Sequence, residues 1–273
     1  MTKYLSLMIS AYRFSAFSFA TGVLMLLTGV NISSANELPE SNASQWTSEV
    51  IKISEVSPTL FLVKSYKEVK FSEDKPAMTF DSNSFIYLDK HDAYFIDTPW
   101  SESDMPDLMR WLEIQQLQLK GTIVTHYHQD RAGGLGYLDK RGFATYASKM
   151  TNLLLVKDKK PTSNHSFSGD KFELLKGQIE AFYPGSGHSM DNLVVWLPEE
   201  KVIIGGCLLK DKNVNNLGWT GDADLANWYH SINKVKAEFP QVEFIFPGHG
   251  EGAHGQSILD HSLSVTKGVA SFE

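Results

Sequence analysis

The chain has 273 residues, 42% of them hydrophobic and 12% aromatic, which is enough to bury a sizeable core in one domain or two. A formal net charge of −7 argues against nucleic acid as a partner, because a polyanion footprint needs clustered Lys and Arg and no such cluster stands out.

In chain order, the first 35 residues read as a signal peptide rather than as part of the fold. "MTKYLSLMISAYRF" carries Lys3 and Arg13 and no acid, "AFSFATGVLMLLTGV" is apolar, and small residues at Ser33 and Ala35 mark a cleavage point after Ala35. The apolar run is shorter than the roughly 20 residues that span a bilayer. Export to the periplasm is therefore expected, with residues 36–273 as the mature domain and no stable membrane association after cleavage.

The mature chain begins with alternating stretches at 59–69 and 78–89, which predict antiparallel strands joined by the polar link "KFSEDKPA". Residues 93–97 predict a short buried strand. Residues 101–119 have helical apolar spacing behind an N-capping serine or aspartate, and 121–125 predict a further buried strand. A helix is expected to start around Gly134. In the second half, strands are expected at 178–185, 192–198, 201–206 and 242–246, with helices at 222–239 and 255–270. Strands and helices alternate without a Pro- or Ser-rich linker, so the chain reads as one α/β domain.

Five of the expected strand ends carry residues of unusual chemistry: Asp97, then His126, His128 and Asp130, then His188 in "GSGHSMDN", then Cys207, then His249 in "FPGHG". Strand ends are where the loops of α/β folds converge on a crevice. Zinc favours imidazole nitrogen, thiolate and carboxylate oxygen in tetrahedral shells. In an extended loop, positions i and i+2 face the same way, so His126 and His128 can grip one ion while Asp130 turns towards a neighbour. His188 completes a three-histidine set, and Asp130, Cys207 and His249 form a second. Cys207 is the one cysteine and has no partner for a disulfide in an oxidising compartment; as a metal-held thiolate it needs none. Three protein ligands per ion leave a position open, as in catalytic zinc sites. Taken singly, each histidine is an ordinary surface or core residue and Cys207 a small hydrophobe; the joint arrangement carries the reading. His91, His165, His230, His254 and His261 lack such settings and are expected to be structural or exposed.

These residues resemble the metallo-β-lactamase superfamily, whose mark is a His-x-His-x-Asp loop after a buried strand. The similarity covers essentially the whole mature chain, through "IDTPW", "HYHQDRAGG", "PGSGHSMDN" and "GGCLLK". Most of that superfamily places a further histidine after the aspartate and an aspartate where Cys207 stands. Arg131 and Cys207 resemble instead the di-zinc, cysteine-bearing β-lactamases, among which acquired carbapenemases are found.

The resemblance implies an αββα sandwich with two Zn2+ at one edge. It also implies hydrolysis of β-lactam antibiotics (penicillins, cephalosporins and carbapenems, with monobactams spared) by metal-activated hydroxide and no covalent acyl-enzyme. Lys210 matches a lysine that holds the substrate carboxylate. Asn216 matches an asparagine near the lactam carbonyl, although "NLGWTGDAD" is longer than the "NLGDAD" of some relatives and Asn215 is the alternative. Asp130 would orient the nucleophile, and the link 69–78 corresponds to a loop over the site. The Ser-x-x-Lys, Ser-Asp-Asn and Lys-Thr-Gly set of serine β-lactamases is missing. Alternatives are a metallohydrolase of the same fold acting on thioesters, lactones or phosphodiesters, and a periplasmic zinc-binding protein without catalysis. Nothing in the sequence demands more than a monomer.

Overall fold

The computed structural model describes residues 45–70 and 72–270, so the leader expected at 1–35 lies outside the described residues. One sheet holds eight strands in chain order: β1 (Gln45–Thr47), β2 (Ile51–Ser57), β3 (Leu60–Val69), β4 (Met78–Asp89), β5 (Asp92–Ile96), β6 (Gln118–Ile123), β7 (Thr145–Ser148) and β8 (His165–Phe167). The second holds six: β9 (Lys171–Leu175), β10 (Ile179–Phe182), β11 (Val194–Leu197), β12 (Val202–Ile204), β13 (Phe244–Phe246) and β14 (Ala253–His254). The helices are α1 (Met105–Ile114), α2 (Gln129–Ala132), α3 (Leu135–Asp139), α4 (Lys149–Lys157), α5 (Leu225–Glu238) and α6 (Ser257–Ala270).

Strand alternation sorts the apolar side chains onto two faces of each sheet. Leu60, Phe85, Tyr87, Ile96 and Ile123 of the first sheet meet Ile179, Ala181, Val195, Leu197, Val202 and Ile204 of the second in a shared core. On the outer face of the first sheet, Ile53, Phe61, Val63, Ile86 and Phe95 receive Leu108, Trp111 and Leu112 of α1. On the outer face of the second, Val194, Trp196, Ile203 and Ile245 receive Trp228, Ile232 and Val235 of α5 and Ile258 and Leu259 of α6. The result is the four-layer αββα sandwich that the resemblance implies.

The first helix is shorter than expected. A helix over 101–119 is replaced by a single 3-10 turn at Glu102–Asp104, α1 ending at Ile114, and β6 beginning at Gln118. The reason is a closed C-terminus: Gln116 adopts φ 55°, its N–H donates to the Glu113 carbonyl at 3.0 Å, and the Leu117 N–H donates to the Leu112 carbonyl at 2.9 Å. That pair of bonds is a Schellman motif, formed here without the usual glycine. The polar run "EIQQ" hides the stop, because Gln is a good helix former.

Parallel pairing decides where function can gather. β5 and β6 run parallel, as do β12 and β13, so their C-terminal ends leave the sandwich at one edge. All five residue groups singled out in the sequence lie on connections at that edge.

Trp111 is 1% exposed and packs its ring 5.1 Å from that of Phe61. Trp111→Ala is expected to destabilise the fold by about 3–5 kcal/mol in urea unfolding, and a loss under about 1 kcal/mol would mean that α1 is not a structural layer.

Candidate metal centre

The loop after β6 is tied down before it reaches the first histidine. Asp97, at the exit of β5, accepts from the Thr125 N–H at 2.6 Å and from the Thr125 hydroxyl at 2.9 Å. Asp97 holds φ 61° and is buried, and burial pushes its carboxyl up to about 7 against the opposing pull of Arg131 and Thr125. His126 follows in the loop, His128 is the extended residue before α2, and Asp130 and Arg131 lie within that single helical turn.

The three histidines converge. His126 Nε2 lies 3.1 Å from His128 Nδ1, which lies 3.0 Å from His188 Nε2. Burial, reinforced by neighbouring positive groups, holds His126 and His188 well below the usual histidine range, so both present neutral rings. A tetrahedral zinc with nitrogens at 2.0–2.1 Å spaces them by roughly 3.3 Å, close to the separations seen.

The second set converges beside the first. Cys207 Sγ is 3.1 Å from Asp130 Oδ2 and 3.4 Å from His249 Nε2, and that nitrogen is 3.2 Å from Asp130 Oδ2. Asp130 Oδ1 is 4.0 Å from His126 Nε2, so one carboxylate faces both sets. Burial opposes charge on Asp130, but Arg131 and His249 outweigh it and hold the carboxyl well below its usual range. Burial likewise opposes charge on His249, but Cys207 and Asp130 push it up to about 10. The cluster thus draws positive charge into the space between its donor atoms. Soft thiolate, imidazole and carboxylate together suit zinc. Both His126, His128 and His188 and His126, Asp130 and Cys207 bring one ligand atom each within 4.8 Å of one another.

Two glycines make the cysteine's approach possible. Gly206 sits at φ 51°, where a Cβ would meet the Thr125 hydroxyl at 2.8 Å; a Cβ on Gly248 would lie 2.8 Å from Cys207 Sγ. Arg131 packs behind this set, fully buried. Its Nε is 3.1 Å from Asp130 Oδ2, its Nη1 is 3.6 Å from Asp97 Oδ2, and it donates to the carbonyls of Asn83 and Gly248.

Lys210 is half-buried with its ammonium 5.1 Å from the Trp228 ring, and its charge is felt at His188. Burial lowers its pKa. Asn216 is exposed and turned onto its own loop, its side-chain oxygen accepting from the Gly218 N–H at 2.9 Å; the structure does not bring it to the histidines. Asn215, the alternative, is exposed too. Lys67, near the end of β3, bonds Gln129 at 2.9 Å and lies over Trp100, whose ring is 5.6 Å from that of His249. The β3–β4 hairpin therefore stands beside the second set.

Two participants went unnoticed in the sequence. Asp222 accepts from His128 Nε2 at 2.8 Å and from the Tyr127 hydroxyl. Burial would raise its carboxyl, but those two bonds hold it below its usual value. Such a carboxylate behind a histidine fixes which ring nitrogen faces the metal. Trp219 is 59% exposed with its ring 5.1 Å from that of His128. Asp222 and Trp219 both lie in the "NLGWTGDAD" stretch, whose extra length was the available signal.

With this geometry in place, comparison with known proteins agrees on one family. The sequence profile described as "Metallo-beta-lactamase superfamily" matches residues 78–249. The chain is 37% identical over 201 residues to a metallo-beta-lactamase type 2 of Pseudomonas aeruginosa, covering 74% of this chain and 78% of that one. It is 36% identical over 219 residues to a metallo-beta-lactamase type 2 of Bacteroides fragilis, covering 79% and 87%. Among solved structures, VMB-1 superposes with a TM-score of 0.78 at 35% identity, covering 82% of this chain and all of that one. TMB-1 gives 0.77 at 34%, covering 81% and 99%. The chain belongs to the metallo-beta-lactamase superfamily.

Proposed function

We propose that the protein is a zinc-dependent β-lactamase that takes two zinc ions and opens the lactam ring of penicillins, cephalosporins and carbapenems. The observation that carries this reading is the pair of three-donor sets meeting at Asp130, with Arg131 behind Asp130 and Cys207 among the donors. The relatives named above support it, as does Lys210, a cation beside the histidines with no carboxylate of the chain within 4 Å among the described residues. The leader composition supports delivery to the periplasm, and a monomer satisfies everything the site requires.

His126, His128 and His188 would hold one ion, and Asp130, Cys207 and His249 the other. Zinc, when bound, supplies Lewis acidity that polarises a carbonyl and acidifies water towards neutral pH. The chain supplies the rest. Oδ2 of Asp130 is engaged by Arg131, which leaves Oδ1, on the His126 side, to orient the attacking water and accept its hydrogen bond. The water oxygen bonds to the lactam carbonyl carbon, the ring C–N bond breaks, and the nitrogen takes up a proton, so one water is consumed and no side chain is acylated. Lys210 would take the carboxylate that flanks the lactam nitrogen, regaining a counter-charge that burial denies it. Asn216 reaches the carbonyl only if its loop turns inward on binding. Trp219 offers an apolar surface beside His128 for the drug's side chain.

Three outcomes are expected. Dialysis against EDTA abolishes nitrocefin and imipenem hydrolysis and zinc restores it; full turnover by metal-free protein would end the reading. Asp222→Ala leaves His128 without its orienting acceptor and weakens zinc affinity by roughly 10- to 100-fold in chelator competition, while an unchanged affinity would make that bond irrelevant. Lys210→Ala removes a charge-assisted contact and lowers kcat/KM for carboxylate-bearing drugs by roughly 10- to 100-fold, mostly through KM. Unaltered KM would detach Lys210 from the substrate.

A further inference from the structure

The two most exposed large apolar side chains of the described residues sit one turn apart on α4: Leu153 at 66% and Val156 at 64%. Met150, one turn earlier, is 45% exposed. The helix does not need them for its own docking. Its inner face packs Leu154 and Leu155 against Val124, Tyr127, Leu135 and Ala147, and its Ser148 cap accepts from the Thr151 N–H at 3.0 Å. At 100° per residue, Val156, Leu153 and Met150 cover an outward arc of about 120°, and Lys149 and Lys157 fall within that same arc. Lys159 and Lys160 follow after Asp158. Lys160 pairs with Asp158 at 3.0 Å, but among the described residues no ion pair holds Lys149, Lys157 or Lys159. A chain with a net charge of −7 thus gathers lysines, three of them outside any ion pair, around its most exposed apolar stripe.

We propose that α4 is a reversible docking helix for an anionic phospholipid bilayer surface. A face that is apolar in the middle and basic at its flanks matches such a surface in both respects. Leu153, Val156 and Met150 enter the boundary between headgroups and acyl chains, and the lysine stems lie along it with their ammoniums at the phosphates. The protein's acidic remainder does not cancel this attraction, because at physiological salt charges beyond about 8 Å are largely screened. A protein partner or a second copy of this acidic chain lacks the dense sheet of negative charge that the lysines fit. The contact is peripheral: no helix among the described residues is long and apolar enough to cross a membrane. It adds surface retention to the sequence expectation of no stable membrane association, and it is independent of the hydrolytic reading.

The test compares the zinc-loaded chain with its Leu153→Gln/Val156→Gln variant by co-sedimentation with phosphatidylglycerol–phosphatidylcholine vesicles and with phosphatidylcholine vesicles alone. Both proteins carry the same N-terminal segment, so the difference between them reads α4. On the anionic vesicles the variant is expected to partition roughly tenfold more weakly, consistent with losing two apolar anchors. The difference should vanish on the neutral vesicles and shrink in about 1 M salt, where the screening length falls to about 3 Å. Equal partitioning of parent and variant on anionic vesicles, or an equal difference on both kinds, overturns the proposal. So does a concentration-dependent dimer of the parent that the variant lacks in gel filtration, because the face then serves a second copy. Unchanged lactam hydrolysis and thermal unfolding of the variant are expected and verify that its fold is intact.

Discussion

The buried guanidinium of Arg131 is the interaction on which the rest of the site depends. It faces two carboxylates, Asp97 at the end of β5 and Asp130 in α2, and donates to the carbonyl of Asn83 in β4 and of Gly248 after β13. A single side chain therefore ties together segments of both sheets. Its own carbonyl accepts from the Thr98 N–H and hydroxyl, both at 2.9 Å, which anchors the turn that carries it. A fully buried cation is tolerable only when its donors are met, and a planar fork with several N–H groups can meet partners in several directions at once. Lysine could not do so, and a neutral residue would leave Asp97 and Asp130 repelling one another without compensation.

From that anchor the two donor sets acquire opposite electrostatic characters. The first is a desolvated wall where His126 and His188 are kept neutral, as a ligand nitrogen must be. The second carries the negative charge, with Asp130 well below its ordinary value and His249 drawn up by Cys207 and Asp130. Asp130 belongs to both in geometry, so the orientation that Arg131 imposes on it sets the spacing between them. Asp222 does for His128 what Arg131 does for Asp130, through the segment between β12 and α5.

Much of this was legible before folding. The His-x-His-x-Asp spacing, the lone cysteine after a strand and the histidines after two further strands mark out the side chains that the structure brings together as a candidate metal centre, because metal ligands come from a short menu of side chains. Strand and helix periodicity likewise sorts most of the apolar residues into four layers. What stayed hidden has local causes. The stop at Gln115–Leu117 depends on a left-handed glutamine rather than glycine. Asp222 and Trp219 lie far along the chain from the histidine they contact, in a stretch without periodicity. The lysines of 149–160 are too few and too interrupted to stand out until a helix turns them and three apolar residues to one side.

By itself the sequence determined which side chains could hold a metal and the order of the strands that carry them, since these depend on side-chain identity and on spacing of a few residues. Only the tertiary structure decided that Arg131 lies behind Asp130 and not in solvent, that Asp222 stands behind His128, and that Asn216 rests on its own loop. Those are outcomes of packing between segments dozens of residues apart, where burial rather than neighbouring sequence selects each partner.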